Sequence, residues 1–169
     1  FDMVAIPDIL NKIIVISGNN QTTTVGKMLS SQLTVEVQDQ YGNYLSSQIV
    51  TFTIVAGGNS NGKLEVNSYP ETYILTNASG RGAIYFTLDT NKTESGTSDT
   101  NRVTARIQSG SITQITYDAT GIQEVMDQIA RLDPTANNQS STVATRLLSP
   151  FTVRVYDRYL NYYEGALVT

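Results

Sequence analysis

Two stretches of this chain carry nearly the same sequence, and this repetition limits the possible folds more than any other feature. Residues 33–51 read LTVEVQDQYGNYLSSQIVT, and residues 151–169 read FTVRVYDRYLNYYEGALVT. They align without a gap at an offset of 118 residues, with nine identities in nineteen positions. The identical residues of the first stretch are Thr34, Val35, Val37, Asp39, Tyr41, Asn43, Tyr44, Val50 and Thr51. Internal similarity of this kind indicates a repeated structural unit.

The similarity continues upstream of both stretches. Residues 19–21 and 137–139 both read NNQ, at the same offset of 118. Farther upstream the offset falls to 116, because two residues are inserted near 133–136, and Ile6 then aligns with Ile122. The matching blocks occur in the same order in both parts of the chain. We therefore predict a tandem array with a period of 116–118 residues, of which this chain holds about one and a half units.

The first unit alternates apolar and polar residues with the period of two that is typical of β-strands. Turn-forming clusters such as QYGN and NASGRG separate the alternating runs. Many short strands separated by turns indicate a β-sandwich, so we predict an all-β protein. The predicted strands are 33–37, 50–54, 84–88 and 103–107, with shorter ones at 64–66 and 73–75 and a last one that ends near Asp118.

One segment has two interpretations. Within residues 121–134, which read GIQEVMDQIARLDP, Ile122, Val125, Met126 and Ile129 have helical spacing. The aligned segment of the first unit, AIPDILNKIIVISG, has a proline and a β-branched run instead. We favour a linker that leads into a strand, with room for one helical turn before it. The predicted organisation is the end of a preceding module or a linker at 1–10, a complete module at 11–118, a linker at 119–128, and the opening strands of a second module at 129–169.

Composition argues against several functional classes. The chain has no histidine and no cysteine, which removes the commonest general base, the commonest metal ligand and thiolate chemistry. The net charge is −4 and the basic residues are scattered, so no nucleic-acid-binding surface is indicated. No apolar stretch approaches the roughly 20 residues that span a bilayer. We expect a chain that is not an enzyme, has no cofactor, binds no nucleic acid and does not insert into a membrane.

The chain opens on Phe1 without a signal-peptide pattern, and we expect it to be a piece of a longer protein.

Several motifs of the first unit together resemble the bacterial immunoglobulin-like (Ig-like) repeats of the invasin and intimin type. The family pattern is a strand ending in V-x-D-x-x-G-N, a following V-x-F strand, and a later T-(D/N)-x-x-G-x-small motif. The matching residues here are Val37, Asp39, Gly42, Asn43, Val50, Phe52, Thr76, Asn77, Gly80 and Gly82. The resemblance covers about residues 12–117 and resumes at about 128–169. It implies an Ig-like β-sandwich in tandem repeat, which the family uses as a spacer, stalk and adhesive scaffold.

The second copy departs from the family pattern at Leu160, which aligns with Gly42. Its turn must therefore take a different backbone shape or hold a non-glycine residue at strained angles.

Asp39 and Asn43, with Asp157 and Asn161 in the second copy, are the candidate metal ligands. Their side-chain oxygens could bind calcium at the junctions between modules. An Asp that precedes a Gly-Asn turn, however, more often caps that turn. A calcium site also usually needs more carboxylates than this pattern brings together. We predict turn capping and no metal site.

Tyrosines beside the two repeated turns are one candidate contact surface. Their rings could stack on sugars, although aromatic residues that flank a hairpin more often pack across strands, and we favour that structural role. These residues are Tyr41, Tyr44, Tyr159, Tyr162 and Tyr163.

The polar loop 89–101 is a second candidate contact surface. It carries Asp89, Glu94 and Asp99. Paired carboxylates are the catalytic groups of glycosidases, but we favour a solvated loop here. The length of the loop makes it a candidate for contact with a partner.

These observations predict a non-enzymatic structural or adhesive repeat of a bacterial cell-surface or extracellular fibre protein. The expected partners are neighbouring Ig-like modules of the same chain or identical subunits, together with a host receptor or glycan. We expect the missing strands of the second module to come from further residues of the same chain or from a neighbouring subunit. The alternative is a carbohydrate-binding or receptor-binding adhesin module that holds a glycan through the tyrosines and the 89–101 loop.

Overall fold

The computed structural model describes residues 6, 8–55, 61–65, 70–91, 101–107, 114–133 and 136–169. Twelve β-strands lie within these residues, which confirms the all-β prediction. The chain divides into two compact units, Phe1–Ile122 and Gln123–Thr169, here called unit 1 and unit 2. Most of the residues predicted to close a preceding module, at 1–10, lie outside the described part of the chain.

Unit 1 contains ten of the strands. They are β1 (Leu10–Ser17), β2 (Gln21–Thr24), β3 (Leu33–Asp39), β4 (Ile49–Ile54), β5 (Lys63–Leu64), β6 (Glu71–Leu75), β7 (Arg81–Ile84), β8 (Phe86–Thr87), β9 (Arg102–Ile107) and β10 (Gln114–Ile122). The order β1-β3-β7 forms a three-stranded sheet, β2-β10-β9-β4-β6 forms a five-stranded sheet, and β5 and β8 form a short pair. The parallel pair in this arrangement is β2 with β10, and the other neighbours run antiparallel.

The core of unit 1 is shared by the two larger sheets. Val35 and Val37 of β3 are fully buried, as are Val50 and Phe52 of β4. They belong to a single hydrophobic cluster, to which β9 also contributes. Because alternate residues of a strand point to opposite faces, the apolar residues of each run meet on the inside of the unit. Each such side chain contributes roughly 1.5–3 kcal/mol when it is removed from water.

The two sheets are also joined by a polar contact. Tyr117 of β10 is buried, and its hydroxyl donates a hydrogen bond of 2.7 Å to the carbonyl oxygen of Thr34 in β3. The Tyr117 ring packs against Phe52 at a centroid distance of 6.4 Å. One side chain therefore fills the core and also satisfies a backbone acceptor of the facing sheet.

Unit 2 contains β11 (Met126–Arg131) and β12 (Val153–Asp157), which pair antiparallel. Ile129 lies opposite Val155, as Ile13 lies opposite Val37 in the pair β1–β3. These positions differ by 116 and 118 residues, the two offsets found in the sequence. Both pairs also have a register irregularity near the start of the first strand.

Two predicted elements differ from the observed ones, and one observed strand was not predicted. The predicted strand 84–88 is divided at Tyr85, because β7 pairs with β3 and β8 pairs with β5. The strand β2 was not predicted from its TTT sequence. The predicted linker 119–128 is strand at both ends, because β10 continues to Ile122 and β11 begins at Met126. The strand β11, and not a helical turn, therefore follows the boundary between unit 1 and unit 2.

Candidate functional site

The first repeated turn is organised by the buried carboxylate of Asp39, at the end of β3. Its Oδ1 accepts hydrogen bonds from the backbone N–H groups of Tyr41 and Asn43, both at 2.9 Å. Its Oδ2 accepts from the side-chain amide of Asn43 and from the backbone N–H of Asp8, also at 2.9 Å. Four donors thus use both oxygens of one carboxylate. The carboxylate closes the turn and fastens the segment before β1 to it.

These contacts also set the charge of Asp39. Burial alone would raise its pKa, but the hydrogen bonds from the Asn43 side chain and from the N–H groups of Asp8, Asn43 and Tyr41 outweigh burial and lower the pKa from 3.8 to about 2. Asp39 is therefore ionised near neutral pH, and a charged acceptor holds the four donors.

Asp157 makes the same contacts in unit 2. Its Oδ1 accepts from the backbone N–H groups of Tyr159 and Asn161, and its Oδ2 accepts from the Asn161 side chain, each at 2.9 Å. The backbone N–H of Glu124 completes the set at 3.0 Å. Burial acts to raise the pKa of Asp157, but the hydrogen bonds prevail and lower it. Asp8 and Glu124, which fasten the preceding segment in each unit, are themselves 116 residues apart.

A second repeated contact, which the sequence analysis did not single out, is made by Gln21 and Gln139. The Gln21 side-chain amide donates to the carbonyl oxygens of Gly18, at 2.8 Å, and Ser31, at 2.9 Å, and its Oε1 accepts the Ser31 N–H at 2.9 Å. Gln139 makes the same three contacts 118 residues further along, at 2.7–2.9 Å. The shared NNQ sequence was the available signal for this contact.

The backbone angles of the turns are repeated as well. Gly42 has φ 86°, and the aligned Leu160 has φ 68°. Both donate their N–H to the carbonyl oxygen of the preceding Asp, at 3.2 and 3.0 Å. The turn at Leu160 was predicted either to take a different backbone shape or to hold a non-glycine residue at strained angles. The structure shows the second alternative. Similarly, Ala144 has φ 64° where Gly26 has φ 69°, so at two positions unit 2 holds a non-glycine residue at the positive φ that glycine adopts in unit 1.

Asp39 and Asp157 are turn-capping groups in this structure, because N–H donors occupy both oxygens of each carboxylate. Within the described residues, no group of three or more acidic side chains lies close enough to hold a metal ion. The geometry is that of the turn chemistry favoured from the sequence.

The candidate tyrosines of unit 1, Tyr41 and Tyr44, are both exposed. Tyr44 forms an isolated bridge with Gln38 at the end of β3. Neither ring stacks on another aromatic ring within the part of the chain that the structure describes, and Tyr41 is the more exposed of the two, at 75% against 49%.

The candidate tyrosines of unit 2 have more contacts within their own unit. The ring of Tyr162 tilts against Tyr156, with a centroid distance of 5.5 Å, and the Arg158 guanidinium lies 4.7 Å from the centre of the Tyr159 ring. Tyr163 is half-buried and donates its N–H to the carbonyl oxygen of Val155 at 2.9 Å. The contacts of Tyr162 are those of the cross-strand packing favoured from the sequence.

Asp89 does not belong to a contact surface, contrary to the prediction. It is 1% exposed, and its carboxylate accepts the N–H groups of Asn61 and Asn91, both at 3.2 Å. It anchors one end of the loop, because its own N–H donates to the Asn101 side chain at 3.0 Å. Glu94 and Asp99 lie outside the described residues.

A groove on the outer face of the five-stranded sheet is a feature that the sequence analysis missed. It has a volume of about 310 Å³ and combines an exposed aromatic ring with groups of both charges. Its lining residues are Ile49, Thr51, Glu71, Thr72, Tyr73 and Arg106. They come from β4, β6 and β9, so three separate runs of the sequence had to be paired before the groove could be seen.

The comparisons with known proteins identify no family. No protein-family model matches the chain, and no curated protein matches it. A solved structure of surface layer protein SbsC, domains 4–9, is similar over 92% of this chain and 21% of its own, with 16% sequence identity and a TM-score of 0.42. This chain thus spans about a fifth of that one. At this TM-score the likeness supports no statement of function. No helix in the described residues has the length and apolarity needed to cross a bilayer.

Proposed function

We propose that this chain is a segment of a tandem array of Ig-like β-sandwich repeats in a bacterial cell-surface or extracellular fibre protein, and that its role is structural, without catalysis. One observation carries the proposal. The strand register, the buried Asp carboxylate and the anchoring Gln recur in both units at the offsets of 116 and 118 residues. The geometry of the Asp turns and of the Gln contacts is repeated from unit 1 to unit 2. Such repetition suits a protein whose function depends on modules arranged in series.

The topology of unit 1 suits a module that carries load. Gln21–Thr24 of β2 pairs in parallel with Ala119–Ile122 of β10, near the two ends of the unit. When a chain is pulled at both ends, parallel strands in this position are loaded along their length, so several hydrogen bonds must break together. One of these is the bond from the Val25 N–H to the Ile122 carbonyl oxygen, at 2.9 Å.

Surface labelling tests the proposal directly. Antibodies raised against the 169-residue chain are applied to intact cells that express the parent protein, and the same cells are treated briefly with protease before blotting. We expect labelling of intact cells and loss of the protein on protease treatment, while a cytoplasmic marker remains intact. Labelling that requires cell lysis contradicts the proposal.

The second candidate function is glycan binding, and the groove beside Tyr73 is the observation that favours it. An exposed ring flanked by Glu71 and Arg106 offers a stacking face together with hydrogen-bonding groups, which is the arrangement that sugar recognition uses. A glycan array probed with the 169-residue chain tests this function. Tyr73→Ala should abolish any signal, whereas Tyr85→Ala, which removes a partly exposed ring elsewhere, should preserve it.

A further inference from the structure

Apolar residues of unit 2 are exposed at positions whose aligned residues in unit 1 are buried. Leu33 and Val25 are 1% and 0% exposed, whereas the aligned Phe151 and Val143 are 73% and 93% exposed. Three further aligned pairs show the same contrast: Val35 with Val153, Val50 with Val168, and Ile13 with Ile129. In unit 2 these residues take the positions that the facing sheet covers in unit 1.

The strand β12 also has a free edge among the described residues. Its counterpart β3 lies between β1 and β7, whereas the described strands of unit 2 form a sheet of two, β11 and β12. In unit 1 the edge is closed by the bond from the Val37 N–H to the Gly80 carbonyl oxygen, at 2.8 Å. The neighbouring turn contact is present in both units, from Leu45 to Val37 and from Tyr163 to Val155. The edge of β12 therefore has the backbone arrangement that accepts β7 in unit 1.

The charge at this edge is reversed between the units. Glu36 of β3 lies opposite Arg81 of β7, and the Arg81 Nε contacts the Glu36 Oε2 at 2.8 Å. The residue aligned with Glu36 is Arg154, which has the same position relative to the first strand of its pair. The Arg154 guanidinium lies 4.4 Å from the centre of the Tyr162 ring. A strand that binds here must therefore meet a cation where β7 meets a carboxylate.

We propose that β12 is completed by an added strand that has the small and apolar pattern of β7 but carries a carboxylate in place of Arg81. The inference deepens the proposed function and rests on it, because it assigns the strand that each unit of the array accepts. Arg154 pairs with the carboxylate of this strand. It also disfavours β7 of a second copy, since Arg81 would then face Arg154. Because Glu36 and Arg154 have opposite charges, each unit favours a different strand at this edge. This difference reduces mispairing between related units, which is a common failure of repeat proteins.

Two fluorescent peptides test the proposal on the 169-residue chain. One has the sequence of residues 76–88, TNASGRGAIYFTL, and the other is identical except for Arg81→Glu. We expect the Glu peptide to bind about tenfold more tightly than the Arg peptide at low salt, and this preference to weaken near 1 M NaCl. Amide exchange should slow within residues 151–155 when the Glu peptide binds, because the aligned residues 33–37 are the ones that pair with β7 and its preceding turn in unit 1.

Matched variants assign the preference to one side chain. Arg154→Gln should remove the preference, and Arg154→Glu should reverse it in favour of the Arg peptide. Arg146→Glu changes an exposed cation of unit 2 outside β12 and should leave the preference unchanged. Because the readout is a ratio of two affinities for the same protein, a general loss of stability cannot produce the reversal.

Two results overturn the proposal. Equal or tighter binding of the Arg peptide shows that β7 of a second copy is an acceptable occupant, and binding of neither peptide shows that the edge does not accept such a strand. Both results leave the surface-labelling experiment unaffected. Failure of the peptide experiment is therefore distinguishable from failure of the proposed function.

Discussion

The hydroxyl of Tyr117 and the carbonyl oxygen of Thr34 lie 2.7 Å apart and join the two sheets of unit 1. The Tyr117 side chain is buried, and the bond gives its hydroxyl an acceptor on the facing sheet. Burial also raises the pKa of Tyr117 well above the ordinary value of about 10. The contact therefore affects both the free energy of unfolding and its dependence on pH.

We expect Tyr117→Phe to lower the free energy of unfolding of unit 1 by about 0.5–1.5 kcal/mol at pH 7, because it removes the hydrogen bond to the Thr34 carbonyl oxygen. The pKa of Tyr117 is higher in the folded than in the unfolded state, so its contribution is complete below pH ~10 and is lost as the pH rises further. Urea unfolding at pH 7 and pH 11 measures both effects. The variant should lose less stability between these pH values than the wild type; an equal loss contradicts the assignment.

Asp39→Asn should lower the stability of unit 1 near neutral pH. It should also remove a part of the stability loss that the wild type shows in acid. The pKa of Asp39 falls from 3.8 to about 2 on folding. The unfolded chain therefore binds the proton more tightly, and the stabilisation is present above about pH 4 and lost as the pH falls through 2. Thermal unfolding at pH 7 and pH 2.5 tests this. The variant should have a lower midpoint at pH 7 and a smaller decrease at pH 2.5.

Asp8→Asn serves as the control for Asp39→Asn, since it retains the backbone N–H that reaches Asp39 and alters a carboxylate with fewer contacts, to the Ile9 N–H and the Gln40 side chain. The control should leave this contact in place. If both variants shift the midpoint at pH 7 equally, the carboxylate of Asp39 does not have the assigned role.

Part of this fold could be predicted from the sequence because burial of one strand face imposes a local pattern. The runs that form β3, β4 and β9 alternate strictly, and all three contribute alternate side chains to the core. Tyr85 carries no such signal. The change of sheet at this residue depends on which strands are nearby, and that information is spread over the whole chain.

The contacts of the candidate site were predictable only where they join residues that are close in the sequence. Asp39 and Asn43 are four residues apart, so the Asp-x-x-Gly-Asn sequence was enough to predict the turn. The burial of Asp89 was not predictable, because its partner Asn61 comes from a distant loop. The exchange of Glu36 for Arg154 is visible in the alignment, but its meaning requires the position of Arg81 in β7.

Leu160→Gly should stabilise unit 2 by about 0.5–1 kcal/mol. At φ 68° a leucine is strained by about 1–2 kcal/mol, and the greater freedom of glycine in the unfolded chain offsets a part of this gain. The reciprocal change, Gly42→Leu, should destabilise unit 1 by about 1 kcal/mol. No atom lies within 4 Å of a Cβ placed at Gly42, so strain and not collision is the cause. Urea unfolding of both variants measures the pair, and effects of the same sign contradict the assignment.

Val25→Pro should reduce the force needed to unfold unit 1 in single-molecule pulling of the 169-residue chain. Proline removes the N–H that donates to the Ile122 carbonyl oxygen at 2.9 Å, next to the parallel pair of β2 and β10. Val25→Ala is the matched control, because it also removes buried apolar atoms but retains the N–H. We expect the proline variant to unfold at a clearly lower force than the alanine variant at the same pulling speed. If the two variants unfold at the same force, the parallel pair does not carry the load and the mechanical part of the proposed function must be abandoned.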